Sequence, residues 1–171
     1  MASRKILILG DEALTRKSFP VETIDEDVRQ LARDMIETLH AAPGIGLSAP
    51  QVGVNRRLIV VDLSIGEDPA ELNVLVNPEI TREDGSCVRE EGCLSIPETF
   101  EKVTRPQKIS LRGLDLDGRE TVIEAADLKA RAFCHEIDHL DGKLFIDRLS
   151  PLKRGLIRKK FRKAAAKTPK S

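Results

Sequence analysis

The spacing of apolar residues along the chain predicts three helices. Between residues 25 and 41 apolar side chains recur every three to four positions, which is typical of an amphipathic helix with one buried face. Acidic residues at its start are favoured there by the helix dipole. The same spacing predicts a second helix from about 126 to 139, with Gly142 placed to cap it, and a third from about 151 to 166.

Four runs of β-branched and aliphatic residues predict strands at 58–63, 74–80, 109–114 and 121–125. Turn residues separate them, so we expect mainly antiparallel sheet in the middle of the chain. Residues 43–53 contain three glycines and two prolines and predict a loop of fixed shape. The whole pattern predicts an α+β fold, with antiparallel sheets packed around a central helix, an N-terminal helix and a C-terminal helix.

Length and composition narrow the class of protein. A chain of 171 residues has the size of one domain, so we expect residues 1–171 to form a single domain that includes the helix at 151–166 and a short tail. No apolar run approaches the roughly 20 residues of a membrane span, and we expect no membrane partner. Three cysteines do not suggest a disulfide framework. With 28 basic and 28 acidic residues, a uniformly basic nucleic-acid binder is excluded.

The motif that carries chemistry is His135-Glu136-Ile137-Asp138-His139, of the form H-E-x-x-H. Side chains four residues apart share a helix face, so His135 and His139 can bind one metal ion. Glu136 projects about 100° away from His135, where a carboxylate can accept a proton from water beside the metal. Buried paired histidines need a polar partner, and a metal ion supplies one. The motif therefore predicts two metal ligands and a general base on the central helix.

The third metal ligand must come from elsewhere in the chain. A catalytic metal usually takes three protein ligands and leaves a position for water. After His139 there is no glutamate and no further histidine, so the thermolysin-like and metzincin patterns of zinc peptidases both fail. Cys93 is the candidate third ligand, and its alternative role is that of a small buried apolar residue. That alternative is the role we expect for Cys87 and Cys134.

Three motifs together resemble those of the peptide deformylase family. They are Gly44-Ile45-Gly46-Leu47-Ser48-Ala49-Pro50-Gln51, Glu91-Gly92-Cys93-Leu94-Ser95 and His135-Glu136-Ile137-Asp138-His139. They stand in the family's order at familiar spacing, and the similarity covers nearly the whole chain. The resemblance implies the bacterial type with a helical C-terminus. It also implies a cytoplasmic enzyme that removes the N-formyl group from the N-terminal methionine of nascent peptides and releases formate.

The resemblance also implies a role for each motif residue. One divalent metal ion would be bound, with Fe(II) as the native ion and zinc, nickel or cobalt as substitutes. Glu136 would be the general base, and the Gln51 amide and the Leu94 backbone N–H would stabilise the oxyanion of the intermediate. Gly46 would pair its backbone with an extended peptide substrate beside Ile45. The implied metal ligands are Cys93, His135 and His139.

A few residues depart from the family pattern or extend it. Ser48 stands where alanine is frequent. Arg89 and Arg131 lie near the place where the family builds its apolar methionine pocket, and we expect their stems to line it while their charges remain in water. Asp138 is expected to hold an arginine such as Arg105 behind the metal ligands.

Two other functions fit the same H-E-x-x-H motif. One is a zinc metallopeptidase, which would cleave internal peptide bonds instead of releasing formate from a formyl-methionyl peptide. The other is a structural metal protein, in which two histidines and one cysteine complete a closed site. In that protein Glu136→Gln would leave any activity unchanged, whereas the catalytic interpretation predicts a loss of several orders of magnitude.

The zero net charge of the chain conceals a strongly basic C-terminal segment. Residues 151–171 hold nine basic residues and no acidic one, while the remaining 150 residues hold 19 basic and 28 acidic residues. Apolar side chains are expected to dock this helix on the body. Its cationic face is either a solvated complement to an acidic body or a binding surface for ribosomal RNA, as in similar bacterial deformylases; no DNA partner is expected. The docking residues are Leu152, Leu156, Ile157 and Phe161.

Overall fold

The computed structural model describes residues 2–167, which form three α-helices and seven β-strands joined by turns and short 3₁₀ helices. The helices are α1 (Glu26–His40), α2 (Asp127–Leu140) and α3 (Pro151–Lys167). The strands are β1 (Gly46–Ser48), β2 (Leu58–Asp62), β3 (Leu72–Asp84), β4 (Cys87–Cys93), β5 (Ile96–Arg105), β6 (Lys108–Leu114) and β7 (Glu120–Ala126). All three helices lie close to their predicted positions.

The strands form two antiparallel sheets. Five strands pair in the order β1-β2-β3-β6-β7, and β4 and β5 form a separate two-stranded hairpin. Strand β1 lies at one edge of the larger sheet and pairs with β2. The predicted α+β class with antiparallel sheets is confirmed. Gly142, with φ of 74°, follows α2 in the left-handed conformation that its predicted capping role requires.

Three strands were not predicted, and β3 is longer than its predicted range of 74–80. The segment 43–53, which was expected to be a loop, contains β1 and a 3₁₀ helix at Ala49–Val52. The glycine-rich sequence of β1 does not indicate a strand, and β1 forms because it pairs with β2. The hairpin of β4 and β5 was not predicted. Most of its side chains are exposed or half-buried, so its sequence lacks the regular alternation of apolar and polar residues that marks a half-buried strand.

Helix α2 occupies the centre of the fold, and every residue from Ala130 to Leu140 is buried. Its apolar side chains pack on one face of the five-stranded sheet, against residues such as Ile59 and Val61 of β2. The alternate β2 residues Leu58 and Val60 pack with α1 on the other face. One strand thus joins the two largest apolar clusters and fixes α2 against the sheet.

Helix α3 is attached to the body by a narrow apolar contact. Ile157 and Phe161 pack against a third cluster that includes Phe145. The expectation that Leu152 and Leu156 also dock the helix was wrong, since they are 73% and 59% exposed. Leu152 and Leu156 are four residues apart, as are Ile157 and Phe161, but only Ile157 and Phe161 face the body and pack against it. Within residues 2–167, none of the helices combines the length and the hydropathy that a membrane span requires.

Candidate active site

Helix α2 and the end of β4 bring Cys93, His135 and His139 together. Nε2 of His139 lies 3.4 Å from Sγ of Cys93 and 3.1 Å from Nε2 of His135. One donor atom from each residue lies within 4.8 Å of the other two. Both histidines are buried on the same face of α2, as their spacing predicts. One sulfur and two imidazole nitrogens are a donor set that suits a divalent transition metal.

Hydrogen bonding orients one of the two imidazole rings, that of His135, whereas the buried Nδ1 of His139 has no hydrogen-bond partner within residues 2–167. Nδ1 of His135 lies 2.8 Å from Oε2 of Glu91. Because the carboxylate only accepts, Nδ1 donates to Glu91, and Nε2 is the ring nitrogen that faces Cys93 and His139. Burial lowers the pKa of His135, but Cys93 and Glu91 outweigh it and hold this pKa well above its ordinary value, so a metal ion that binds here displaces a proton from Nε2. Burial lowers the pKa of His139 well below its ordinary value, so this ring is neutral, as a metal ligand must be. The residues present therefore fit a bound metal ion.

A buried ionic network lies behind His135. Nε and Nη2 of Arg105 donate to the two oxygens of Glu91 at 3.1 and 2.6 Å, and Nη1 donates to Asp138 at 2.6 Å. Arg148 donates to Asp138 at 2.8 and 2.9 Å. The predicted contact between Asp138 and Arg105 is confirmed. Burial favours the neutral form of Glu91, but hydrogen bonds from His135 and Arg105 outweigh it and hold the pKa of this carboxyl well below its usual range.

Glu136 lies beside the ligand cluster and is only 3% exposed. Its Oε2 has no hydrogen-bond partner within residues 2–167. Burial raises the pKa of this carboxyl to about 7, close to the value at which a group both accepts and returns a proton at neutral pH. A Cβ atom at Gly46 would lie 2.6 Å from Oε1 of Glu136, so glycine at that position leaves room for the carboxylate.

The amide of Gln51 is held in one orientation. Its Oε1 accepts from the backbone N–H of Ser48 at 2.9 Å and from the Ser48 hydroxyl at 3.0 Å. A backbone N–H only donates, so Oε1 must face Ser48, and Nε2 must face Oγ of Ser95 at 3.1 Å and Sγ of Cys93 at 3.6 Å. Ser48 adds a hydrogen bond that alanine cannot make. Sequence reasoning missed the contact of Ser95, which stands two residues after Cys93 in the same motif.

A cavity of about 570 Å³ opens beside these groups. Ile45, Gly46 and Leu94, which the sequence marked for substrate or oxyanion, all line it, together with Glu136 and Gln51. Gly46 belongs to the edge strand β1, whose backbone pairs with β2 on one side only within residues 2–167. On the other side of β1 the Ser48 backbone N–H is bound by Gln51, and the backbone of Gly46 is left without a strand partner within residues 2–167. The site thus combines a donor cluster, a carboxylate, an oriented amide and an unpaired strand edge.

The expectation for Arg131 was wrong in one respect. Arg131 lines the cavity, but its guanidinium is buried and does not extend into water. It donates to Oε1 of Glu91 at 3.0 Å, to the Val103 carbonyl at 3.0 Å and to the Cys87 carbonyl at 2.8 Å. All three acceptors belong to the hairpin of β4 and β5, which was not predicted from the sequence. Arg89 is exposed and is not among the residues that line the cavity.

The remaining cysteines and histidine have other surroundings. Burial raises the pKa of Cys134 to about 11, so its thiol is neutral. Cys87 is half-buried at the start of β4. Nε2 of His40, near the end of α1, lies 2.8 Å from Oδ2 of Asp62. These side chains are not part of the donor cluster found within residues 2–167.

Comparisons with known proteins agree on one family. The family model described as polypeptide deformylase matches residues 3–155. A peptide deformylase from Thermodesulfovibrio yellowstonii is 51% identical over 162 residues, which are 95% of this chain and 98% of that protein. The crystal structure of a peptide deformylase from Legionella pneumophila has a TM-score of 0.89 and 45% identity, and covers 98% of this chain and 100% of its own. A peptide deformylase from Ehrlichia chaffeensis in complex with actinonin has a TM-score of 0.88 and 37% identity, and covers 96% of this chain and 98% of its own.

Proposed function

Because the chain belongs to the polypeptide deformylase family, we propose that the cluster of Cys93, His135 and His139 is its catalytic metal centre. Members of this family are metal-dependent hydrolases that remove the N-formyl group from the N-terminal methionine of newly synthesised proteins and release formate, and this is the function of the chain. The metallopeptidase alternative is not favoured. The observation that carries the assignment is that Glu136 and Gln51 lie with Cys93 and His135 of this cluster around one cavity.

The three ligands are proposed to hold one divalent ion, with Fe(II) as the native ion. A thiolate with two imidazoles accommodates several divalent metals, so zinc, nickel and cobalt are expected to substitute. When bound, the ion supplies Lewis acidity, which makes water acidic enough to act as a nucleophile near neutral pH. Through the hydrogen bond at Nδ1, Glu91 would orient the ring of His135 so that Nε2 faces the ion.

Each protein group around the cavity has its own role in the proposed reaction. An extended formyl-methionyl peptide pairs with the backbone of Gly46 beside Ile45, with its formyl group towards Glu136. Glu136 accepts a proton as water attacks the formyl carbon, and it returns that proton to the departing amine nitrogen. Nε2 of Gln51 and the N–H of Leu94 donate to the oxyanion of the tetrahedral intermediate. Breaking the C–N bond yields formate and a free amino terminus.

A formate-release assay on anaerobically purified protein tests the assignment of the metal. We expect formate from a formyl-Met peptide, loss of this activity to background after chelation, and recovery on addition of Fe(II), because the ligand set needs a divalent ion to generate the nucleophile. The iron and zinc forms are compared at equal metal content. An acetyl-Met peptide of the same sequence is the control. Full activity in metal-free protein would contradict the proposal, and internal cleavage of either peptide would favour the peptidase.

We propose that residues 1–171 act as one catalytic domain in the bacterial cytoplasm, where nascent chains are made. Strand β2 contributes to both of the largest apolar clusters, which leaves no boundary between them. The curated relatives and solved structures named above match over nearly their full length. Both points support a single unit, and the bacterial origin of these relatives supports the location.

The basic face of α3 is proposed to bind ribosomal RNA. Its side chains at Lys159, Lys160, Arg162 and Lys163 are exposed, and none of them forms an ion pair within the described part of the chain. Lys153 and Arg158, by contrast, pair with Glu101 and Asp147 of the body. Unpaired cations on one helix suit a phosphate backbone. Lys170, the last basic residue counted in the sequence, lies outside the described residues.

Replacing Lys159, Lys160, Arg162 and Lys163 by glutamine should weaken ribosome co-sedimentation at low salt. Each lost phosphate contact removes counterion release, so binding should fall and its dependence on salt should become shallower. The matched control replaces four exposed basic residues of the body by glutamine, namely Lys17, Arg82, Lys108 and Arg119. Unchanged co-sedimentation of the α3 variant would sink the RNA proposal and leave the solvated-tail interpretation. Formate release from a short peptide should stay at the wild-type rate in both variants.

A further inference from the structure

The cavity has two walls that belong to different elements. Helix α2 supplies Leu128, Arg131 and Ala132, and the hairpin supplies residues 90–94 and 96–100. A two-stranded hairpin has little stability of its own, so its distance from α2 depends on specific contacts. At the turn between β4 and β5 that contact is Cys93, which lies against the histidines of α2.

Arg131 makes the corresponding contact at the open end of the hairpin. Its Nη2 donates to the Cys87 carbonyl of β4 and its Nη1 donates to the Val103 carbonyl of β5. In the ladder Cys87 pairs with Arg105 and Arg89 pairs with Val103, so both carbonyls lie far from the turn. One guanidinium from α2 therefore ties both strands of the hairpin to the opposite wall.

The charge of the Arg131 guanidinium is also paired with a carboxylate. Nη1 of Arg131 lies 3.0 Å from Oε1 of Glu91, and the side chain of Arg131 is only 6% exposed. Three acceptors in three directions match the planar donors of arginine and cannot be reached together by the single ammonium of lysine. The positive charge of Arg131 is thus paired with a carboxylate within the cavity wall.

The hydrogen bonds of Arg131 do not overlap with the hydrogen bond that orients the metal ligand His135. Arg131 binds Oε1 of Glu91, whereas His135 and Nη2 of Arg105 bind Oε2. Removing Arg131 leaves the partner of His135 in place and leaves Arg105 on both carboxylate oxygens. A change at Arg131 should therefore alter the cavity more than the metal centre.

We propose that Arg131 is a specificity-determining residue, which fixes the separation of the cavity walls for the first side chain of the substrate. The inference rests on the proposed function, because it takes this cavity as the site that receives the methionine side chain. Held by Arg131, the walls admit an unbranched thioether and exclude a wider ring. The charge of the Arg131 guanidinium is also matched by Glu91 and is not presented to the substrate.

Steady-state kinetics of Arg131→Met test this role. Methionine keeps an unbranched side chain but loses all three hydrogen bonds, so the open end of the hairpin is held to α2 less firmly, with the hydrogen bond from Arg105 to Asp138 still in place. We expect KM for a formyl-Met peptide to rise about tenfold and its preference over a formyl-Phe peptide to fall about tenfold, with kcat within about twofold. Arg131→Lys keeps the charge but cannot reach three acceptors, and it should resemble Arg131→Met. Arg89→Met is the matched control, because Arg89 is exposed on the same hairpin.

Two further measurements do not depend on turnover. Amide hydrogen exchange of residues 87–93 and 96–105 should speed up in Arg131→Met and Arg131→Lys and should stay unchanged in Arg89→Met. The visible absorption of the cobalt-loaded protein should be the same in wild type and in Arg131→Met, because the ligands and Oε2 of Glu91 are untouched. If Arg131→Met does not fold, Arg131→Lys provides the same comparison with a charge retained.

Several outcomes would overturn the proposal. Unchanged KM and unchanged preference in both Arg131 variants would show that the contact does not set the cavity. Recovery of wild-type selectivity in Arg131→Lys would show that charge matters and geometry does not. A wild-type preference for a formyl-Glu over a formyl-Gln peptide, lost in Arg131→Met, would place the guanidinium against the substrate. Failure of the wild type to release formate from every formyl peptide would instead contradict the proposed function.

Discussion

Glu136→Gln is expected to lower kcat for formate release by about 10³-fold or more while the protein keeps its metal ion. General acid–base catalysis typically contributes about 10² to 10⁴-fold, and an amide can neither take the proton of the attacking water nor return it to the amine. Glutamine has nearly the shape of glutamate, and Oε2 of Glu136 accepts no hydrogen bond within residues 2–167 that the change would break. Single-turnover kinetics and elemental analysis of the purified variant measure the two quantities.

The matched control for this variant is Glu98→Gln, which removes another carboxylate that lines the cavity. It should retain the wild-type rate, because Glu98 is not adjacent to the ligand pair on α2. Near-normal kcat in a metal-loaded Glu136→Gln protein would assign the proton transfer to another group. Loss of the metal together with the activity would leave the role of the carboxylate structural.

Glu91→Gln is expected to lower the free energy of unfolding by about 3 to 5 kcal/mol, the usual cost of removing one partner from a buried ion pair. Arg105 and Arg131 would each lose a carboxylate partner, and the side chain of Arg105 is only 1% exposed. The neutral amide would also orient His135 less firmly, so metal affinity should fall about 10- to 100-fold. Urea unfolding at fixed metal concentration and competition with a chelator report the two effects.

Glu90→Gln is the control for Glu91→Gln, since Glu90 is the neighbouring residue on β4 and its side chain is exposed. Its unfolding midpoint and metal affinity should match those of the wild type. If Glu91→Gln also matched the wild type in both measurements, the buried network would be without influence on stability or on the ligand histidines. A loss of stability without a loss of affinity would separate the two roles of the carboxylate.

The sequence predicts best what depends on local spacing. The 3.6-residue period marks α1 and α2, and the four-residue separation of His135 and His139 already places both side chains on one face. The role of Cys93 is harder to predict, because it lies 42 positions before His135 and its only sequence signal is the motif around it. Its position beside the histidines depends on the antiparallel hairpin.

The features that the sequence does not reveal depend on pairing across the fold. Strand β3 runs to Asp84 because its ladder with β6 continues through polar residues that show no apolar alternation. The acceptors of Arg131 include two backbone carbonyls, and a carbonyl is present at every position of any sequence. Only the observed pairing of the strands shows which carbonyls meet the guanidinium.

The open edge of β1 determines how general this enzyme can be. A peptide that joins β1 as a further strand is held by main-chain hydrogen bonds, which are the same for almost every amino acid. Because β1 spans only three residues, Gly46–Ser48, it can engage only the beginning of a chain and leaves everything downstream free. In the proposed binding mode, only the first side chain of the peptide enters the cavity, so only that side chain is selected by its shape. A single protein of this design can therefore process the start of nearly any polypeptide that a cell makes, whatever sequence follows.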